Sequence, residues 1–169
     1  MKIVLLGYMA SGKSAVGAIL ADKLNVQFID LDSYIEEQEQ LTISEIFDVK
    51  GEIYFRKVEG DYLNEVLKLT IDCVISLGGG TPCYGNNMAN IVNNSTSFYL
   101  NASINTIFER LENETSQRPL VASIGIENLK EYIAKHLFER SIYYERASKT
   151  ISVNEKGIVA ISNEILDLI

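Results

Sequence analysis

The chain has 169 residues, the size of one compact domain, and its 47% hydrophobic and 22% charged content is that of a globular protein and not a disordered one. Acids outnumber bases 23 to 15, a formal charge of -8 that argues against a broad nucleic-acid-binding face. No apolar run approaches the roughly 20 residues of a membrane helix.

Lys2 and the apolar Ile3 to Ala10 superficially resemble a short signal peptide, but Lys13 follows at once and the segment has a better explanation below. Cys73 and Cys83 are too few for a disulfide framework, and with the lone His136 they do not assemble four zinc ligands. A reducing, cytosolic compartment is expected, and with no sustained heptad in the sequence a monomer is the default.

Apolar stretches alternate in type along the chain, without repeats. Ile3-Val4-Leu5-Leu6, ended by Gly7, reads as a strand buried on both faces. Val16, Ile19, Leu20 and Leu24 then recur at helical spacing, and Val26 to Ile29 forms a second short strand ended by Asp30. Thr42-Ile43-Ser44-Glu45 is a capping-box pattern, with Ile43, Ile46 and Phe47 as the apolar face of the helix it opens. Tyr62, Leu63, Val66, Leu67 and Leu69 continue a helical stripe. Cys73 to Leu77 is a third strand, closed by Gly78-Gly79-Gly80, and Ser97 to Leu100 is a fourth, followed by Ile104, Ile107, Phe108 and Leu111 at helical spacing. Leu129, Ile133, Leu137 and Ser141 mark another helix face. Thr150 to Val153 is a fifth strand, and Ile158, Ile161, Ile165 and Leu168 close the chain as a helix. Strands alternating with helices predict an α/β domain with a parallel sheet and helices on both faces. Ligands of such sheets sit beyond the carboxyl ends of the strands, where Gly7, Asp30 and Gly78 each interrupt one.

Gly7-Tyr8-Met9-Ala10-Ser11-Gly12-Lys13-Ser14 fits the phosphate-loop pattern G-x-x-x-x-G-K-[ST] in its required context, after a strand and before a helix. The glycines let successive backbone N–H groups face a β-phosphate, and the helix N-terminus adds partial positive charge. Lys13 reaches the β- and γ-phosphates, and Ser14 ligates magnesium. The context excludes a chance glycine turn. A guanine-reading Asn/Thr-Lys-x-Asp segment is missing, and the third strand ends in Ser76-Leu77-Gly78 without the acid of a motor ATPase.

Carboxylates follow the second strand instead. Asp30 and Asp32, two residues apart, both point toward the phosphate loop if strand geometry persists. One would hold magnesium-bound water and the other accept a hydroxyl proton; the plain alternative is helix capping by Asp32 with Asp30 solvated. Arginine clamps planar carboxylates and phosphoryl oxygens, and the chain has only Arg56, Arg110, Arg118, Arg140 and Arg146. Arg110 and Arg146 read as ordinary surface arginines, which leaves Arg56, Arg118 and Arg140 as candidates. Arg118 lies in the polar stretch 112–123, which reads as a mobile lid. Gly78, Gly79 and Gly80 allow a small molecule to lie against backbone N–H groups.

The ordered set of phosphate loop, Phe28-Ile29-Asp30-Leu31-Asp32, Gly51-Glu52-Ile53-Tyr54-Phe55-Arg56, Leu77-Gly78-Gly79-Gly80, Arg118-Pro119-Leu120 and Arg140 with Tyr143-Tyr144 resembles the shikimate kinase family over nearly the whole chain. The resemblance implies a nucleoside-monophosphate-kinase-like three-layer sandwich, a single domain over 1–169 with a substrate-binding segment at about 32–61 and a lid at about 112–123. It implies transfer of the ATP γ-phosphoryl group to the 3-hydroxyl of shikimate, with Mg2+ as cofactor, in the cytoplasmic route to chorismate and the aromatic amino acids. By position, Asp32 binds the shikimate hydroxyls and accepts the proton, and Arg56 and Arg140 grip the carboxylate. Gly79, between Gly78 and Gly80, contacts the ring substituents through its backbone. The loop residues Ala10, Ser11, Gly12, Lys13, Ser14 and Ala15 hold the nucleotide, with Arg118 closing over its phosphates. Asp30 orders the water shell of the metal that Ser14 ligates. Ala10 replaces the family's usual middle glycine and calls for a negative φ, Ala15 stands where threonine is frequent, and Lys156 is the one basic residue offered to the adenine.

Two other readings share parts of this pattern. A gluconate kinase would also use Asp32, Arg56 and Arg140 on a polyhydroxy acid, but the triple glycine and Gly-Glu-x-x-Phe-Arg favour shikimate. A non-catalytic nucleotide-binding module would not need Lys13, Asp32 and Arg118 together.

Overall fold

The computed structural model describes residues 1–113 and 123–169. In chain order it contains β1 (Lys2–Leu6), α1 (Lys13–Leu24), β2 (Gln27–Asp30), α2 (Leu31–Glu39), α3 (Ile43–Lys50) and α4 (Glu52–Lys68). β3 (Cys73–Ser76) leads through a 3-10 turn (Thr81–Cys83) to α5 (Asn87–Asn94), β4 (Thr96–Asn101) and α6 (Ile104–Asn113). α7 (Ile126–Tyr144), β5 (Lys149–Ser152) and α8 (Ile158–Leu166) complete the chain. Every strand expected from the sequence forms, with ends shifted by a residue or so.

The strands build one parallel sheet in the order β2-β3-β1-β4-β5. β1 and β3 lie inside it and must bury both faces, which is why Ile3, Val4, Leu5, Leu6, Val74 and Ile75 form apolar runs and are fully buried. Parallel pairing brings all carboxyl ends to one edge. The register sets Ser76 beside both Leu5 and Asp30, so the residues that follow β1, β2 and β3 meet at one level.

Helices cover the sheet: α1 packs with α8, α6 with α7, and α4 with α2, α3 and α5. α1 approaches β2 so closely that a Cβ on Gly17 would stand 2.5 Å from Phe28 Cε2. The expected capping box of α3 is formed, with Thr42 Oγ1 accepting from Glu45 N at 3.2 Å and Glu45 Oε2 accepting from Thr42 N at 2.7 Å.

One local expectation is corrected. The strand ends at Asp30, whose carboxylate caps α2 by accepting from Ser33 N at 3.3 Å, so Asp32 lies in the first turn of a helix and not two residues along a strand. A carboxylate at this point satisfies a free helix N–H and meets the positive end of the dipole, so the chain turns helical at Leu31. The cap is Asp30, not Asp32. Among the described residues no helix is long and apolar enough to cross a membrane.

Candidate active site

The phosphate loop links β1 to α1 through left-handed backbone at Gly7 (φ 144°) and Gly12 (φ 95°). Gly7 is also required by space, because a Cβ there would lie 2.7 Å from the Leu100 carbonyl oxygen. Lys13 Nζ donates to the carbonyls of Gly7 (3.0 Å) and Tyr8 (2.9 Å) across the loop. Ala10 does not have the negative φ expected of it: φ is +59°. The loop path between two glycines imposes this conformation, which for a residue with a Cβ costs about 1–2 kcal/mol. The Ala10 carbonyl is held in turn by Arg110 Nη1 at 2.8 Å. Arg110 is therefore not an ordinary surface arginine; from α6 it reaches back across the sheet edge to the loop.

Ser14 Oγ donates to Asp30 Oδ2 at 2.7 Å and lies 3.2 Å from Ser76 Oγ. The end of β3, read as lacking a metal-side carboxylate, thus supplies a hydroxyl, while the carboxylate comes from β2. The donors are all oxygens, as a hard divalent cation requires. Among the described residues no cluster of three or more His, Cys, Asp or Glu could hold a metal by itself. The Ser14–Asp30 pair therefore fits an ion such as Mg2+ that keeps most of its coordination on water and phosphate oxygens.

The three glycines after β3 each meet one expected acceptor-site side chain. A Cβ on Gly78 would stand 2.9 Å from Asp32 Oδ1, one on Gly79 3.5 Å from Arg140 Nη1, and one on Gly80 3.1 Å from Arg56 Nη1. None of the three has a positive φ, so what glycine supplies here is close approach, tightest for Asp32 at Gly78 and Arg56 at Gly80, while Arg140 stands in ordinary contact distance of Gly79. Asp32 from α2, Arg56 from α4 and Arg140 from α7 thus converge on one short backbone segment, although they are far apart in the chain.

Their surroundings tune them. Burial pushes the Asp32 carboxyl up to about 6, reinforced by the like charges of Asp30 and Glu59 and opposed by Lys13. Arg56 Nη1 donates to Glu59 Oε2 at 3.0 Å, Thr81 Oγ1 donates to Glu59 Oε1 at 2.6 Å, and the Arg56 guanidinium stacks 3.9 Å over the Tyr84 ring. Glu59 is 1% exposed and sits one helical turn after Arg56; that i, i+3 acid was a signal available in the sequence and not used. Tyr144 OH donates to the Gly79 carbonyl at 2.6 Å, tying the end of α7 to the glycine segment.

A cavity of about 500 Å³ runs along the sheet edge, lined by the loop residues Met9 to Val16 and by Asp30, Asp32, Leu77, Gly78 and Gly79, with Arg110 and Lys156 among its further walls. Ala10, Ser11, Gly12, Lys13, Ser14 and Ala15 therefore all face one space, as expected. Arg56 and Arg140 are not among its walls; Arg140 adjoins it through Gly79, and Arg56 lies one residue further on, against Gly80. Lys156 pairs with Glu164 at 2.6 Å and, with Arg110, also lines a second polar cavity of about 600 Å³ beside Ser103, Thr106 and Asn154. Arg118 and most of the expected lid, 114–122, lie outside the described residues. Sequence reasoning missed Arg110, Ser76 and Glu59, and also a contact between Tyr8 of the loop and His136 of α7.

Comparison with known proteins agrees with this geometry. The family model described as shikimate kinase matches residues 9–169. A shikimate kinase of Flavobacterium johnsoniae is 46% identical, with 99% of this chain and 98% of that protein covered. The crystal structure of a shikimate kinase from Bacteroides thetaiotaomicron superimposes with a TM-score of 0.92 at 35% identity, covering 99% of this chain and 97% of the other. A shikimate kinase from Acinetobacter baumannii, solved in complex with shikimate, gives a TM-score of 0.87 at 31% identity, covering 99% of this chain and 91% of that one.

Proposed function

The chain belongs to the shikimate kinase family, and from that premise we propose that it transfers the γ-phosphoryl group of ATP to the 3-hydroxyl of shikimate, giving shikimate 3-phosphate and ADP. The product serves the route to chorismate and the aromatic amino acids. The observation that carries the reading is the seating of Asp32, Arg140 and Arg56 against Gly78, Gly79 and Gly80, next to a phosphate loop. An acceptor bearing both a carboxylate and hydroxyls needs that combination: two guanidinium groups for the planar anion and one carboxylate for the hydroxyls.

In this reading Arg56 and Arg140 hold the acceptor carboxylate while Asp32 orients the 3-hydroxyl. The acceptor oxygen forms the new P–O bond, its proton passes to Asp32, and the bond between the γ-phosphorus and the bridging oxygen breaks with its electron pair leaving on ADP. The elevated carboxyl of Asp32 suits this work: still largely ionised near neutrality, it is a better base than a solvated aspartate. Lys13 and the loop N–H groups stabilise charge on the phosphates, and positioning supplies much of the rate. Ser14 and Asp30 would hold Mg2+, which when bound neutralises charge on the β- and γ-phosphoryl oxygens. Arg118, outside the described residues, is assigned to the ATP phosphates by the family resemblance. The segment at about 32–61 and the lid at about 112–123 are parts of one domain, and the enzyme works as a cytosolic monomer; the free thiols of Cys73 and Cys83 suit a reducing compartment.

The test is a coupled ADP-release assay with magnesium and ATP, comparing shikimate with gluconate. Turnover on shikimate well above that on gluconate is expected; no stimulation by shikimate would refute the reading.

A further inference from the structure

The helix that carries Arg140 is fastened to the site at two points. His136, Arg140 and Tyr144 are spaced by four residues and share one face of α7. At the C-terminal point, Tyr144 OH donates to the Gly79 carbonyl at 2.6 Å. One turn before Arg140, His136 Nδ1 lies 3.0 Å from the hydroxyl of Tyr8, the second residue of the phosphate loop. The Tyr8 and His136 rings meet edge to face at 5.5 Å and 89°, and the Tyr132 ring also packs against the imidazole at 5.1 Å.

Tyr8 is 1% exposed, and burial drives its phenol pKa upward, so the hydroxyl keeps its proton; one hydrogen closes the pair, from the phenol or from Nδ1–H according to the imidazole tautomer. Burial and the nearby Arg140 lower the His136 pKa, which keeps the imidazole neutral and able to pair with the phenol. The Arg140 guanidinium also stands 5.9 Å over the Tyr8 ring. The same tyrosine therefore meets the helix at His136, through its hydroxyl and its ring, and lies within cation–π range of Arg140.

We propose that Tyr8 and His136 form a positioning pair that sets α7, and with it the carboxylate clamp Arg140, in register with the phosphate loop. The pair links the part of the site that presents the phosphoryl group to the part that grips the acceptor. It acts through Arg140 and touches neither substrate. The inference rests on the acceptor role assigned to Arg140 above.

The test is steady-state kinetics on Tyr8→Phe, His136→Leu, His136→Gln and the Tyr8→Phe/His136→Leu pair, with thermal melts alongside. Tyr8→Phe keeps the ring and its packing and removes only the hydroxyl. Tyr8→Phe and His136→Leu should each raise KM for shikimate by about three- to tenfold, the usual scale for one lost hydrogen bond. kcat and KM for ATP should stay within about twofold, on the expectation that one bond's loss loosens the clamp and leaves the loop intact. The double variant should be no worse than the more affected single one, and His136→Gln, which retains a polar partner able to accept or donate, should recover most of the loss. Unchanged KM for shikimate, equal rises in both KM values, or a Gln variant as poor as the Leu variant would each overturn the inference while leaving shikimate turnover by the wild type intact. A wild type inert toward shikimate would remove the underlying reading and this inference together.

Discussion

The two halves of the candidate site are built in opposite ways. The nucleotide half is almost entirely local: eight consecutive residues, Gly7 to Ser14, set the loop path, and Lys13 closes on the carbonyls of Gly7 and Tyr8 within the same segment. The acceptor half is assembled from α2, α4 and α7, and nothing in any one of those helices makes it a site; the contact surface is the side-chain-free segment Gly78 to Gly80. A locally encoded half survives rearrangement elsewhere. An assembled half fails whenever one of its supports moves. Substitutions should therefore separate the two halves, with acceptor constants responding alone.

The largest separation is expected at Asp32. Asp32→Asn should lower kcat by about 100- to 10,000-fold, the range for loss of a general base, while ATP affinity stays within about twofold; equal losses in both would contradict the division. Arg56→Lys keeps the charge but loses the planar fork and the stacking on Tyr84. It should raise KM for shikimate by about 10- to 100-fold with little effect on KM for ATP.

Acidity gives a third separation. A proton acceptor must be ionised, so kcat/KM for shikimate should fall about tenfold per pH unit below the Asp32 carboxyl value of about 6, and the fall should be missing from nucleotide binding. The same group makes a stability prediction of opposite sign. Its folded value lies above the ordinary 3.8 of the unfolded chain, so the folded state holds the proton more tightly. The resulting stability is fully present below about pH 4 and is lost as pH rises through about 6. In the absence of nucleotide and magnesium, Asp32→Asn should then be the more stable protein at pH 8, by on the order of 2 kcal/mol in denaturant melts, with the difference vanishing toward pH 4. An inactive variant that is more stable than its parent would mark Asp32 as a residue held for chemistry against the preference of the fold.

The smallest effect sharpens the local half. Ala10→Gly removes the left-handed strain at φ +59° but adds the backbone freedom of glycine in the unfolded chain. The net expectation is a gain of about 0.5–1 kcal/mol, read as a modest rise in Tm. A loss of stability would mean that the added backbone freedom of glycine outweighs the strain at this position.

The same division explains which parts were legible in the sequence. Strands β1, β3 and β4 were readable because parallel strands buried on both faces must be continuous apolar runs, whereas the partly buried edge strands β2 and β5 showed only as short stretches between helices; the capping box of α3 was readable because its partners are three residues apart. The phosphate loop was readable for the same reason of proximity. At Asp30 two local rules competed, strand alternation and helix capping, and capping won because the helix start had free N–H groups to satisfy. Arg110 carried no local signal at all: its value comes from meeting a carbonyl one hundred residues earlier.

By itself the sequence determined the alternation of strands and helices, the nucleotide loop and the kinds of side chain available to an anionic acceptor, since each depends on neighbours within a few residues. Tertiary structure alone decided that Asp32, Arg56 and Arg140 share one backbone seat, that Ser76 joins Ser14 and Asp30, and that Tyr8 meets His136. Those are meetings in space between groups brought together by the parallel sheet, and a linear spacing records no such distance.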